Sequence, residues 1–190
     1  MTSAISRQPG NTIFTIGHGA RSEAEFHEVL GGSEIGMLVD VRRHPGSRRH
    51  PHFGRDALSK SLPDIGIAYE WWGEALGGRR KIEDIASNRH VSWRNHSFRA
   101  YAGYMETAVF RVALEALAER ASTTRIAVMC AETLWWRCHR RLIADALVAG
   151  GHEVIHLGLG KEQPHHLSKA CRIDQNGQLV YDASPGHLSG

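Results

Sequence analysis

Cysteine is scarce in this chain. There are three, Cys130, Cys138 and Cys171, at irregular spacing and with no Cys-x-x-Cys pair. That number and spacing indicate neither a disulfide framework nor a structural zinc site. A cytoplasmic setting is the default expectation. Long apolar runs are missing as well. Stretches such as Ile126–Cys130 fall far below the ~20 residues that a membrane span needs. The opening MTSAISRQPGNT has no apolar core of the kind a secretory signal carries, so no membrane partner is expected. Lysine is the third shortage: 19 of the 23 basic residues are arginine. Arginine is the better residue for forked contacts to phosphate or carboxylate.

What is present is the composition of an ordinary globular protein, 190 residues with 42% hydrophobic and 23% charged. One core of this size is enough. We expect a single α/β domain over residues 12–182, three-layered with a mostly parallel central sheet and a C-terminal β-hairpin. Flexible tails are expected at 1–11 and 183–190. The organising stretch is Arg125–Leu157. It reads as a buried strand (Ile126–Met129), a loop opened by Cys130, a helix from about Cys138, a Gly150-Gly151 stop, and a strand over Val154–Leu157. A cysteine at the C-terminal end of a buried strand and ahead of a helix lies where open α/β sheets place ligands. The helix N-terminus favours an anion there.

The remaining elements follow from local patterns. Asn11–Ile16 alternates as a strand. Ser22 with Glu25 forms a capping box for a helix packing Phe26, Val29 and Leu30. Gly36–Val41 is a doubly buried strand that contains Asp40. An unpaired carboxylate there is costly, so Asp40 is either an ion-pair partner, with Arg42 on the same strand face, or a carboxylate aimed at the site. A short helix over Asp56–Leu62 and a strand over Ile67–Tyr69 come next. The polar segment 82–105, anchored by Trp93, Phe98, Tyr101 and Tyr104, reads as an irregular excursion over the sheet edge or a lid. Helical spacing of Ala108, Val109, Val112, Leu114, Ala116 and Leu117 predicts a helix over Glu106–Arg120. Asn176-Gly177 joins two short runs as a hairpin.

Arg42–Arg55 holds five arginines, three histidines and no acid, and leaves the same sheet edge as Cys130. It is either a solvated loop or a phosphate-contacting one. Trp71 and Trp72 precede Arg79 and Arg80, and aromatic residues among arginines suit stacking on bases. His18, Arg42, Arg48, Arg49, Arg137, Arg140, Trp71 and Trp72 are therefore the candidate anion or nucleic-acid contacts.

Several pieces together carry a resemblance: Thr15-Ile-Gly-His18, Leu38-Val-Asp-Val-Arg42, Pro45 with Ser47-Arg48, Leu76-Gly-Gly78, Cys130-Ala-Glu132, and Cys138-His-Arg140. The chain resembles the family catalogued as domain of unknown function 488 over about residues 13–160. The resemblance implies a compact α/β domain and leaves the activity open. The layout of strand, cysteine, loop and helix is also similar to rhodanese-like sulfurtransferases and cysteine phosphatases. Here, however, Cys130 to Arg137 is one residue longer than Cys-x5-Arg, and the loop carries Glu132, two tryptophans and no glycine.

Three mechanisms compete. Cys130 is a nucleophile whose thiolate Arg137, His139 and Arg140 stabilise. Cys130, Cys138, His139, His18 and His156 gather a metal, for which the spacing is poor. Asp40 and Glu132 divide acid–base work on a ligand clamped by arginines. The catalytic candidates are thus Asp40, Cys130, Glu132 and His139, with no metal or cofactor expected. The reading that follows is an enzyme acting on an anionic, phosphate-bearing ligand, with a nucleotide or nucleic acid first. The alternative is a non-catalytic DNA- or RNA-binding protein using the 42–55 loop with Trp71 and Trp72. A sulfurtransferase or phosphatase is a minor alternative.

Overall fold

The computed structural model describes residues 10–46, 49–81 and 89–182. Arg48, the ends of both expected tails and residues 82–88 of the expected excursion lie outside them. The chain runs through β1 (Thr12–Gly17), α1 (Glu23–Gly32), β2 (Met37–Asp40), α2 (Arg55–Ser61), β3 (Ala68–Trp71) and α3 (Gly73–Leu76). It continues through α4 (His96–Tyr104), α5 (Ala108–Ala121), β4 (Ile126–Cys130), α6 (Arg140–Ala149), β5 (Glu153–His156), β6 (Gln163–Pro164), β7 (Arg172–Ile173) and β8 (Leu179–Val180).

Six strands form one sheet in the order β3-β2-β4-β1-β5-β6. The first five run parallel and β6 is antiparallel to β5. β7 and β8 make the C-terminal hairpin, turned at Gly177 with a φ of 76°, as Asn-Gly predicts. β4 lies between β2 and β1 and is buried throughout, which explains its unbroken apolar run. Its side chains alternate between two cores. Ile126, Val128 and Cys130 pack with residues of α4, α5 and α6. Ala127 and Met129 pack with Phe26 and Leu30 of α1 and Leu58 of α2. The domain therefore has three layers.

Local chemistry accounts for the boundaries. The capping box at Ser22 and Glu25 opens α1. Asn95 caps α4 with its carboxamide oxygen, so the described part of the expected excursion contains a helix. Phe98 and Tyr101 of that helix join the core beside Trp93. The 3.6-residue period was masked there by small and polar residues between the aromatic anchors. Thr107 caps α5, so that helix starts two residues later than the apolar pattern predicts. Its buried face is Phe110, Ala113 and Leu117, whereas Val109 and Val112 are 59% and 63% exposed. Phe110 outweighs the smaller valines and fixes the rotation of the helix. Among the described residues no helix is long and apolar enough to cross a membrane.

Replacing Leu117 by alanine is expected to cost about 2–5 kcal/mol, while Val112→Ser stays within about 0.5 kcal/mol. Urea midpoints of the two variants check this. Equal losses would mean that α5 presents a different face.

Candidate functional site

The sheet order brings separate sequence pieces to one edge. The C-terminal ends of β1, β2 and β4 are neighbours, and those of β2 and β4 deliver parts of a cleft of ≈ 410 Å³. Arg42, Arg43 and His44 line it from the end of β2, and Gly78 and Arg79 from the segment after α3. Cys130, Ala131 and Glu132 come from the end of β4, and Arg137, Cys138 and His139 from the turn before α6.

Close approach at this edge depends on Gly17. A Cβ there would collide with the carbonyl of Glu132 and crowd the Arg140 guanidinium. The chain after β4 is laid directly against the end of β1, with His18 and Gly19 amides donating to the carbonyls of Cys130 and Ala131 at 3.0 Å each. Arg79 has a φ of 59°, a left-handed conformation costing an L-residue roughly 1–2 kcal/mol, and its side chain borders the cleft.

Two cysteines meet there. Cys130 Sγ and Cys138 Sγ are 2.8 Å apart. Cys138 Sγ also accepts from the Arg140 amide at 3.4 Å and lies 3.5 Å from His139 Nδ1. His139 Nε2 faces the Val41 carbonyl at 3.2 Å and donates to it, which leaves Nδ1 as the lone pair beside the sulfur. Burial holds that imidazole below its ordinary pKa.

The thiols are unequal. Burial, together with donation to Cys138, pushes the Cys130 thiol well up. Burial also opposes ionisation of Cys138, yet the Cys130 thiol and the Arg140 guanidinium and amide outweigh it and bring Cys138 down to about 7. Of the two, Cys138 is thus the thiol that ionises more readily, with Cys130 as its donor when it does. Sequence reasoning placed the nucleophile at Cys130 and considered Cys138 only as a metal ligand. The missed signal was Cys138-His-Arg at the start of a helix, where a thiolate gains from free amides and positive charge.

Arg140 lies beneath the sulfurs and is 1% exposed. Its guanidinium donates to the Glu132 carbonyl, to the Thr133 carbonyl at 3.3 Å and to Thr15 Oγ1 at 3.4 Å. From Thr15 a buried chain continues to His156 Nδ1 (2.6 Å), from His156 Nε2 to His165 Nδ1 (2.9 Å), and from His165 Nε2 to Asp145 Oδ1 (3.0 Å). Asp145 accepts from the Tyr181 hydroxyl (2.9 Å) and the Ser168 amide (3.0 Å). Burial, with His165 and Arg140 nearby, keeps His156 neutral by lowering its pKa to about 3. It must therefore donate through one ring nitrogen and accept through the other. No motif signals this chain, because its members come from distant segments.

Asp40 does not line the cleft. Its carboxylate takes Arg42 Nε (2.9 Å), Arg42 Nη2 (2.6 Å), the Arg42 amide (3.0 Å) and the Tyr69 hydroxyl (2.8 Å). Of the two readings of Asp40, the geometry carries the ion pair. Arg42 also donates to the Phe53 carbonyl and to His18 Nε2, which leaves it one N–H for a ligand. His18 is held neutral, lowered to about 4 by burial and by Arg42.

Glu132 is exposed on the rim, with Oε1 accepting from the Leu134 amide at 3.3 Å. Arg43, Arg79 and Arg137 are exposed there too, with no carboxylate partner among the described residues. Arg49 is described but outside the cleft. Trp71 donates its indole N–H to the Arg42 carbonyl, and its ring lies under Arg55 at 4.4 Å. Trp72 donates to Glu70, and Arg120 lies over its ring. Neither tryptophan borders the cleft. No group of three or more metal-ligating side chains is arranged to hold a metal among the described residues.

These features define an open α/β protein with an arginine-rimmed thiol site at the C-terminal edge of its sheet. The chain belongs to the family described as Domain of unknown function DUF488, which matches residues 22–147. No curated protein and no solved structure matches it.

A thiol titrating near 7 reacts when its thiolate forms. Iodoacetamide alkylation of Cys138 should rise as pH climbs through about 7, and mass mapping of the labelled site over a pH series reads this. A midpoint near 9, the ordinary value, would refute it. Gly17→Ala should overpack the β1 edge at a cost of about 1–3 kcal/mol, read as a lower thermal midpoint, and should move the Cys138 midpoint upward by displacing Arg140.

Proposed function

We propose that the protein is an enzyme acting on an anionic, phosphate-bearing ligand, with a nucleotide or nucleic acid as the first class. The observation that carries this reading is the charge arrangement of the cleft. Among the described residues Arg43, Arg79 and Arg137 have no carboxylate partner around a thiol brought down to about 7, and Glu132 is the one acid lining the cleft. Arginine forks match phosphate oxygens bidentately. In a hydrolytic cycle the arginines hold the phosphate, Cys138 Sγ attacks phosphorus as the bond to the leaving oxygen breaks, and water then attacks phosphorus, breaking its bond to sulfur and releasing the phosphate product. Glu132, when protonated, supplies a proton to the leaving oxygen. His139 Nδ1 is placed to take the thiol proton before attack, and Cys130 donates to the sulfur that results. Asp40 acts on Arg42 and so on the shape of the β2 edge, as a positioning residue. A reducing, cytoplasmic setting suits a site that needs its thiols free.

Binding of labelled oligonucleotides, single- and double-stranded, and of nucleotides across a salt series tests the reading. Each arginine removed should weaken binding about tenfold, or ~1.4 kcal/mol, so Arg43→Ala/Arg137→Ala should lose roughly a hundredfold. The salt slope should fall by ~0.9 per lost phosphate contact on duplex DNA. Turnover should vanish in Cys138→Ser. Salt-dependent binding with no turnover in any protein would make this a non-catalytic nucleic-acid binder, and binding unaffected by the arginine pair would remove the cleft from the account.

A further inference from the structure

Two thiols in contact inside a basic cleft permit a second chemistry that needs no phosphate. We propose that Cys138 and Cys130 form a thiol–disulfide exchange centre whose substrate is a small disulfide bearing carboxylates. In it Cys138 is the attacking residue and Cys130 the resolving one.

The geometry distinguishes the roles. The sulfurs are 2.8 Å apart, so closing by about 0.8 Å reaches the bond length of a disulfide. Both cysteines border the cleft, but Cys138 is 8% exposed and Cys130, at the end of β4, only 2%. An incoming disulfide meets Cys138 first. A reactive thiolate beside a second, sheltered thiol is the arrangement that converts a mixed disulfide into an internal one. Cys171 is not part of it. Burial and the Asp145 charge push its thiol up to about 12, and it is absent from the cleft lining.

The steps balance. The Cys138 thiolate attacks one sulfur of R–S–S–R, the Sγ–S bond forms as the substrate bond breaks, and R–S⁻ leaves with the electron pair. Cys138 then no longer carries charge, and Arg140, which also contacts Cys130, favours ionisation of the remaining thiol. Cys130 gives its proton to the departing thiolate and attacks Cys138 Sγ, and the second R–S⁻ leaves. The protein dithiol is oxidised to one internal disulfide, and the small disulfide is reduced to two thiols. Carboxylates on R are drawn by Arg43, Arg79 and Arg137, which no carboxylate of the described chain engages.

The test uses the full chain, reduced and then freed of reductant, exposed to glutathione disulfide without any phosphate ligand. Acid quenching, alkylation and intact mass then count thiols and adducts. The wild type should lose two thiols, keep Cys171, carry no glutathione, and recover both thiols with dithiothreitol. Cys130→Ser should trap glutathione on Cys138. Cys138→Ser should react at least about tenfold more slowly, since its remaining thiol is the protonated one. Arg43→Ala/Arg137→Ala should slow the reaction with glutathione disulfide but not with uncharged hydroxyethyl disulfide. A wild type that keeps all three thiols, or takes up glutathione on Cys171 alone, would overturn the proposal, and this readout stands even if a variant fails to fold. Equal rates for Cys138→Ser and wild type would overturn the roles. Because no phosphate ligand enters, failure here leaves the phosphate reading standing, and loss of phosphate binding leaves this one standing.

Discussion

The site depends on the burial of one positive charge. Arg140 occupies the first turn of α6, where the helix already presents its positive end, and its guanidinium is almost entirely withdrawn from water. A cation there is doubly unfavourable, and no carboxylate pairs with it among the described residues. Compensation comes instead from the carbonyls of Glu132 and Thr133, the hydroxyl of Thr15 and the two sulfurs. Of these only a sulfur can acquire a full negative charge. Arg140 therefore favours ionisation of Cys138, and its bonds to the Glu132 and Thr133 carbonyls tie down the loop after β4.

The fold makes this burial possible. Because β4 is inserted between β2 and β1, the cysteine at its end is flanked by the Gly17-His18 end of one neighbour and the Asp40–Arg42 end of the other. Gly17 provides the space in which the loop crosses, and the Asp40–Arg42 pair, tied to Tyr69 and Phe53, holds the opposite wall. A buried pair of this kind contributes little net stability but is costly to break on one side. Here it fixes a wall, with the Asp40 carboxylate engaged by Arg42 and Tyr69.

Much of this architecture is legible in the sequence wherever one local rule decides. The capping box at Ser22, the Asn176-Gly177 turn and the uninterrupted apolar run of β4 each specify an element without reference to the rest of the chain. Cys130 is legible as a strand end at a ligand-bearing edge. Cys138 is not, because its place in the site arises from a sulfur–sulfur contact that depends on how the seven intervening residues travel. The rotation of α5 was hidden for a related reason: Val109 and Val112 fit a helical period as well as Phe110 does, and only packing against the sheet selects among them. The chain from Asp145 through His165 and His156 to Thr15 is further still from any local rule. It draws on α6, the residue just after β6, and strands β5 and β1, and thirteen scattered histidines conceal the two that take part.

A net charge of +3 also conceals what the arginines do, because composition adds together two populations with opposite meanings. Arg42 and Arg140 are buried and engaged mainly by the protein's own groups, a carboxylate in one case and carbonyls and sulfur in the other. Arg43, Arg79 and Arg137 are exposed and have no carboxylate partner among the described residues, and Arg79 holds its place in a strained backbone conformation. A cleft in which the interior charges are neutralised and the rim charges are not has a field directed outward, toward an incoming anion. Such a field raises the local concentration of anions and weakens with salt. The thiolate at the bottom opposes that field in part, so a ligand gains most by placing its negative groups on the rim and its electrophilic atom at the sulfur. Phosphate esters and carboxylate-bearing disulfides share this separation of charge from reactive atom, which is why the two proposed chemistries draw on the same arginines and the same sulfur.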